Sequence, residues 1–106
     1  MSTPRIYIAG PMTGLPEFNY PAFHAAAAAW RAAGWEVSNP AENFGGHMGM
    51  PYADYIRKDL ADLMTCEAIA FLPGWEASKG ARLEHHVAEV LEMRMYDSDK
   101  PEAPHA

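Results

Sequence analysis

Two short apolar runs, each cut off by a turn pair, constrain this chain more than any other feature. Arg5-Ile6-Tyr7-Ile8-Ala9 stops at Gly10-Pro11, and Ala68-Ile69-Ala70-Phe71-Leu72 stops at Pro73-Gly74. A run that is apolar at nearly every position has no polar face to offer water. Each is therefore predicted as a strand buried on both sides, the condition of a parallel sheet covered by helices. Gly10-Pro11-Met12-Thr13-Gly14-Leu15-Pro16 can neither extend a strand nor open a long helix. It is predicted as a loop at the C-terminal end of the first strand, the end where open α/β sheets bind ligands.

The intervening segments read as helices. Pro21 to Ala33 has proline in its first turn, an alanine run from Ala25 to Ala29, and Gly34 as a natural C′ residue. Phe23, Ala27 and Trp30 share its core-facing side, and His24 lies at the boundary. Trp35-Glu36-Val37-Ser38 alternates apolar and polar residues, as a half-exposed edge strand does, and is placed beside the first strand. Asn43 to Met50 is glycine-rich and aperiodic, which predicts a mobile connection that can close over a site. Pro51 to Met64 is a second helix with Tyr52, Ile56, Leu60 and Leu63 along one side; Asp59 and Asp62 fall off that stripe and are expected in solvent. A third helix is predicted from Ser78 to Met95, and residues 97–106, with two prolines and little that is apolar, as a disordered tail.

The pattern is β-α-β-α-β-α: an α/β domain over residues 1–96, a small three-layer flavodoxin- or Rossmann-like parallel sheet with strand order 2-1-3, ending after the third helix. No fourth strand is expected to cover the outer edge of the third. An uncovered apolar edge is a liability, and a second subunit is the simplest cover, so a homo-oligomer is expected.

Composition removes several function classes. At 106 residues, 49% hydrophobic and 21% charged, the chain is one globular domain. A formal charge of −6 supplies no basic stripe for a nucleic-acid backbone. The single cysteine, Cys66, excludes an internal disulfide and a multi-cysteine zinc site. The most apolar early stretch, Ala25 to Trp30, is too short to be a leader or a membrane span. A soluble cytoplasmic protein is the expectation, with no membrane partner.

Ser78-Lys79-Gly80-Ala81-Arg82-Leu83-Glu84 follows the third strand and opens the third helix. Helix N-termini carry N–H groups without intrahelical partners and favour anions. An anion cradle with Glu84 just beyond it suits a phosphorylated ligand and a carboxylate that attacks it. By themselves these seven residues read more simply as an ordinary capped helix with a surface glutamate. His85-His86 point about 100° apart on a helix, so no metal site is expected there.

Ile6-Tyr7-Ile8-Ala9-Gly10-Pro11, taken with Ser78-x-Gly80-x-x-x-Glu84, resembles the nucleoside 2-deoxyribosyltransferase superfamily, which includes the 2′-deoxynucleoside 5′-phosphate N-hydrolases. Tyr7 to Leu15, with Phe18-Asn19, Pro21-Ala22-Phe23 and Asn39-Pro40-Ala41-Glu42, resembles a small uncharacterised subgroup common in phage and prophage genomes. The resemblance spans roughly residues 5–93. It implies Glu84 as nucleophile, Tyr7 as the residue holding that carboxylate, and Gly10-Pro11 as lining for the base. It also implies Asp59, or less well Asp62, as the residue that binds or protonates the base. Transferases acting on free nucleosides tend to carry aspartate at the position of Ser78, whereas the nucleotide hydrolases carry serine. An aspartate would repel a phosphate dianion to which a serine hydroxyl and helix-end N–H groups donate. The implied substrate is a (deoxy)nucleoside 5′-monophosphate, with Ser78 and Gly80 at its phosphate and no cofactor. A helix N-terminus and the Tyr7 hydroxyl are expected to keep Glu84 ionised. The alternatives are a deoxyribosyltransferase and a non-catalytic protein that captures a nucleotide. Two departures from the family stand out: its members continue with further strands and a C-terminal segment that often completes a neighbour's site, and Glu67 stands where they open the third strand with aspartate.

Overall fold

The computed structural model describes residues 3–46 and 49–104; His47 and Met48, within the stretch expected to be mobile, and the last two residues of the expected tail lie outside the described residues. Four parallel strands form one sheet in the order β2-β1-β3-β4, with β1 Arg5–Ala9, β2 Glu36–Ser38, β3 Ala68–Phe71 and β4 Arg94–Asp97. The helices are α1 Tyr20–Ala32, α2 Tyr52–Leu63 and α3 Lys79–Val90.

Strand alternation sorts the core into two layers. Ile6, Ile8, Ala68, Ala70 and Leu72 pack with Phe23, Ala27 and Trp30 of α1. On the opposite face Tyr7, Ala9, Ile69 and Phe71 pack with Leu63 of α2 and Ala88 of α3. Helices on both faces explain why β1 and β3 are apolar throughout. This is the three-layer Rossmann-like arrangement expected, with β2 as the anticipated edge beside β1.

The fourth strand corrects the expected end of the sheet. The helix predicted from Ser78 to Met95 would include Arg94, but α3 stops at Val90. Glu92 takes a left-handed conformation, φ 57°. The Glu92 N–H then bonds the Glu89 carbonyl (3.1 Å) and the Met93 N–H the Ala88 carbonyl (2.9 Å), a Schellman closure. The freed chain pairs along β3 with Ala68 opposite Arg94 and Phe71 opposite Asp97. β4 therefore covers the edge whose exposure argued for a second subunit, and that argument lapses. Charged Arg94 and Asp97 bracket the new edge, a common protection against further pairing.

The segment beyond β4 also departs from the expected disordered tail. The Trp30 indole donates to the Ser98 carbonyl (2.9 Å) and the Trp35 indole to the Glu102 carbonyl (2.7 Å). Tyr96 packs against both indoles, with ring centroids 5.2 and 6.0 Å away. Buried indole N–H groups need acceptors, and this segment supplies them.

Candidate active site

β1 leads to α1 on one face of the sheet and β3 leads to α3 on the other. The chain thus diverges between neighbouring strands β1 and β3, and a crevice opens at their C-terminal ends, as expected at such a switch point. There lies a pocket of about 1020 Å³. Tyr7, Gly10, Pro11, Asp59, Ser78, Gly80 and Glu84 all line it. Asp62, the less well matched of the two aspartates, is not in the lining; its carboxylate accepts from Lys58 (3.0 Å) and Asn43 (3.1 Å).

The floor is the Tyr7–Glu84 pair. The Tyr7 hydroxyl donates to Glu84 Oε2 at 2.5 Å, and the two residues are 0% and 5% exposed. Strand alternation aims Tyr7 at the α3 side, where Glu84 sits midway along the helix. Burial, followed by the neighbouring Glu84 and Asp59 charges, holds the Tyr7 phenol well above its ordinary range, so it stays a donor.

Glu84 differs from expectation in its charge. Burial pushes its pKa up to about 8, the Tyr7 hydrogen bond opposes the rise, and Asp59 adds to it. Glu84 is the sixth residue of α3, and a helix dipole acts mainly within the first turn. Desolvation outweighs it here. Asp59 is also corrected: it is 8% exposed rather than solvated, because 52, 56, 59 and 63 fall on one helical face. Burial raises its pKa to about 7, with Asn43 opposing and Asp62 adding to the shift. Two carboxyls with raised pKa values thus share one pocket, and near neutral pH the pair retains a proton.

Ser78 caps α3: its hydroxyl oxygen accepts from the Ala81 N–H at 3.2 Å, which leaves its own O–H free to donate. A side chain at Gly80 would stand 3.1 Å from the Tyr52 hydroxyl and 3.2 Å from Ile56, so the helix end stays open because position 80 has none. Lys79 also lines the pocket, whereas Arg82 does not. Gly10 is required for a different reason, since a Cβ there would lie 2.7 Å from Leu72 Cβ.

Several pocket residues escaped the sequence reading. Tyr20, Phe23, Tyr52 and Tyr55 build an aromatic wall, and Leu15 and Phe18 an exposed rim. Phe18 reaches the rim on three consecutive left-handed residues, Glu17, Phe18 and Asn19 (φ 53°, 51° and 61°). The Asn19 side chain secures the turn by donating to the Pro11 carbonyl at 3.0 Å. Such conformations are costly for residues with a Cβ and concentrate at functional loops. No sequence pattern marks that turn; Tyr52 and Tyr55 were legible as helix residues but not as pocket lining.

Glu67 lies away from the pocket. It precedes β3 at the opposite end of the sheet and accepts from the Arg5 N–H at 3.0 Å. His85 stacks on Trp75, centroids 4.7 Å apart. Among the described residues no group of three or more His, Cys, Asp or Glu is placed to hold a metal ion, and no helix is long and apolar enough to cross a membrane. A family model described as a domain of unknown function (DUF4406) matches residues 4–97. The curated proteins give no match.

Proposed function

The chain belongs to the DUF4406 family, and from its pocket we propose that it is an N-glycosidase cleaving the base–sugar bond of a (deoxy)nucleoside 5′-monophosphate. The observation that carries this reading is the buried 2.5 Å contact between the Tyr7 hydroxyl and Glu84 at the pocket floor. A carboxylate fixed by a phenol donor suits attack on an anomeric carbon, and Asp59 is the second carboxyl such chemistry uses.

In this reading the phosphate lies against Ser78 and the first N–H groups of α3, with Lys79 beside it, and the base stacks among the aromatic side chains. Glu84 attacks C1′ as the C1′–N bond breaks. The bonding pair leaves with the base nitrogen, and Asp59 supplies the proton. Water then displaces the glycosyl ester, releasing sugar phosphate and restoring the carboxylate. Turnover needs Asp59 protonated and Glu84 ionised; the Tyr7 donor and the positive charge developing on the sugar both favour that distribution.

The test is incubation with each ribo- and deoxyribonucleoside monophosphate, with chromatography for free base, alongside Glu84→Gln. Release that persists in the variant removes Glu84 as nucleophile. Since Glu84 holds its proton up to about pH 8, a capture protein without turnover is the second reading. Tight binding without base release decides for it.

A further inference from the structure

The pocket wall contains a contact that the reaction above leaves unused. Asn43, from the short turn segment Pro40–Gly46 after β2, donates through Nδ2 to Asp59 Oδ1 at 3.3 Å and to Asp62 Oδ2 at 3.1 Å. An amide nitrogen has two hydrogens, and both are committed. Asp59 and Asp62 lie three residues apart on α2 and face the same side; the amide between them offsets their repulsion. Asp62 is held further by Lys58 at 3.0 Å.

Asp59 is left asymmetric. Oδ1 is occupied by Asn43, while Oδ2 has no hydrogen-bond partner among the described residues. Nor is Oδ2 sealed away, since Arg5 Nε is the only buried side-chain polar atom without a hydrogen bond among those residues. Oδ2 thus keeps accessible surface and no protein hydrogen bond, and Asp59 lines the pocket. The ionisable groups around Asp59 are Asp62, Lys58 and Tyr52 on α2, Glu84 on α3, Tyr7 on β1 and Tyr20 on α1. None of them donates to Oδ1. Asn43 is itself fixed: Phe44 and Gly45 turn the chain at φ 54° and 64°, and the Phe44 ring sits edge-on to Tyr55 at 5.5 Å.

We infer that Asn43 is a positioning residue: by donating to Oδ1 it makes Oδ2 the protonated, pocket-facing oxygen from which the departing base takes its proton. This deepens the glycosidase reading and rests on it. An oxygen accepting an N–H keeps its lone pair for that bond, so the acid proton resides on the other oxygen. In the step, the proton moves from Oδ2 to the base nitrogen that receives the C1′–N pair. Asp59 is left as the carboxylate that Asn43 then steadies, and it regains a proton from the attacking water.

Two measurements on Asn43→Ala test this, with Asn43→Ser retaining one donor as a milder variant. In the ligand-free protein, carbon-detected NMR titration of the Asp59 carboxyl is expected to move upward by about one pH unit in Asn43→Ala, with Asn43→Ser between. An unchanged midpoint overturns the inference whatever the activity. In kinetics, kcat for a nucleoside monophosphate is expected to fall about 100-fold. For 4-nitrophenyl 2-deoxyribose 5-phosphate, whose leaving group departs without a proton, the loss is expected to stay below about threefold. Equal losses on both overturn the inference and leave the glycosidase reading intact. A wild type that cleaves neither substrate overturns that reading and the donor role with it, and the titration still reports whether Asn43 holds Asp59.

Discussion

Replacing Glu84 by glutamine separates the electrostatic cost of the site from its packing. The amide is nearly isosteric, and its oxygen still accepts from the Tyr7 hydroxyl; what it lacks is the charge. Burial raises the Glu84 pKa from 4.5 to about 8, so between those values the folded protein keeps a proton that the unfolded chain has released. Stability is then full below pH 4.5, falls as pH rises, and levels off above about 8. At about 1.4 kcal/mol for each tenfold, the loss across that window is on the order of 4–5 kcal/mol. It is an upper figure if the pocket takes up water when Glu84 ionises. Glu84→Gln carries no such slope. Asp59, raised to about 7, declines in both proteins, so the comparison retains only the Glu84 contribution and its coupling to Asp59. Urea denaturation followed by tryptophan fluorescence at pH 5 to 8.5 should show the two proteins within about 1 kcal/mol at pH 5. The variant should be more stable by roughly 2–5 kcal/mol at pH 8.5, about 10 °C or more in Tm for a domain of this size. Parallel stability curves over that range would refute the claim that Glu84 is held in its acid form by burial.

The other expectations are these. Tyr7→Phe removes the donor that opposes the rise in Glu84, so any base-releasing activity should fall and its ascending limb should shift to higher pH, checked by a pH–rate profile. Stability should drop by about 1–3 kcal/mol, measured by denaturation. Ser78→Asp places a charge at the end of α3 and should weaken nucleoside monophosphates at least tenfold more than free nucleosides, roughly 1.4 kcal/mol, by calorimetry; equal weakening argues against a phosphate there. Gly10→Ala drives a Cβ to 2.7 Å from Leu72 and should cost about 1–3 kcal/mol, read as a fall in Tm. Trp30→Phe deletes the indole bond to Ser98 and should accelerate hydrogen exchange in residues 98–104 ahead of the sheet, with β1 amides unchanged.

Much of the site was legible because its parts are local signals. Gly10-Pro11 and Pro73-Gly74 end two buried runs, and Ser78 opens a helix, so their places followed from turn and cap chemistry. Tyr7 and Glu84 are 77 residues apart, and only the family resemblance joined them before the coordinates did. An α2 stripe drawn through Tyr52, Ile56, Leu60 and Leu63 leaves Asp59 outside; the helical period through 52, 56, 59 and 63 carries the aspartate inward. Asn43 had no signal, since its role depends on a turn segment meeting α2 across the fold.

The two helix ends show where sequence stops deciding. At the end of α1, Gly34 (φ 110°) closes the Schellman pair, with the Trp35 N–H bonded to the Trp30 carbonyl at 3.2 Å. Glycine is the residue that adopts this conformation without penalty, so the stop is written in the chain. At the end of α3, Glu92 performs the same turn at φ 57°, and nothing local favours it. Pairing of residues 94–97 with β3 and burial of Met93 against Ala88 and its neighbours outweigh the left-handed glutamate. The sequence by itself determined a doubly covered parallel sheet, its order through β2, β1 and β3, and the end of the sheet at which the pocket opens. Tertiary structure alone decided the fourth strand and the protonation of the carboxyl pair. Edge pairing and desolvation depend on groups brought together from distant positions, and no local pattern encodes them.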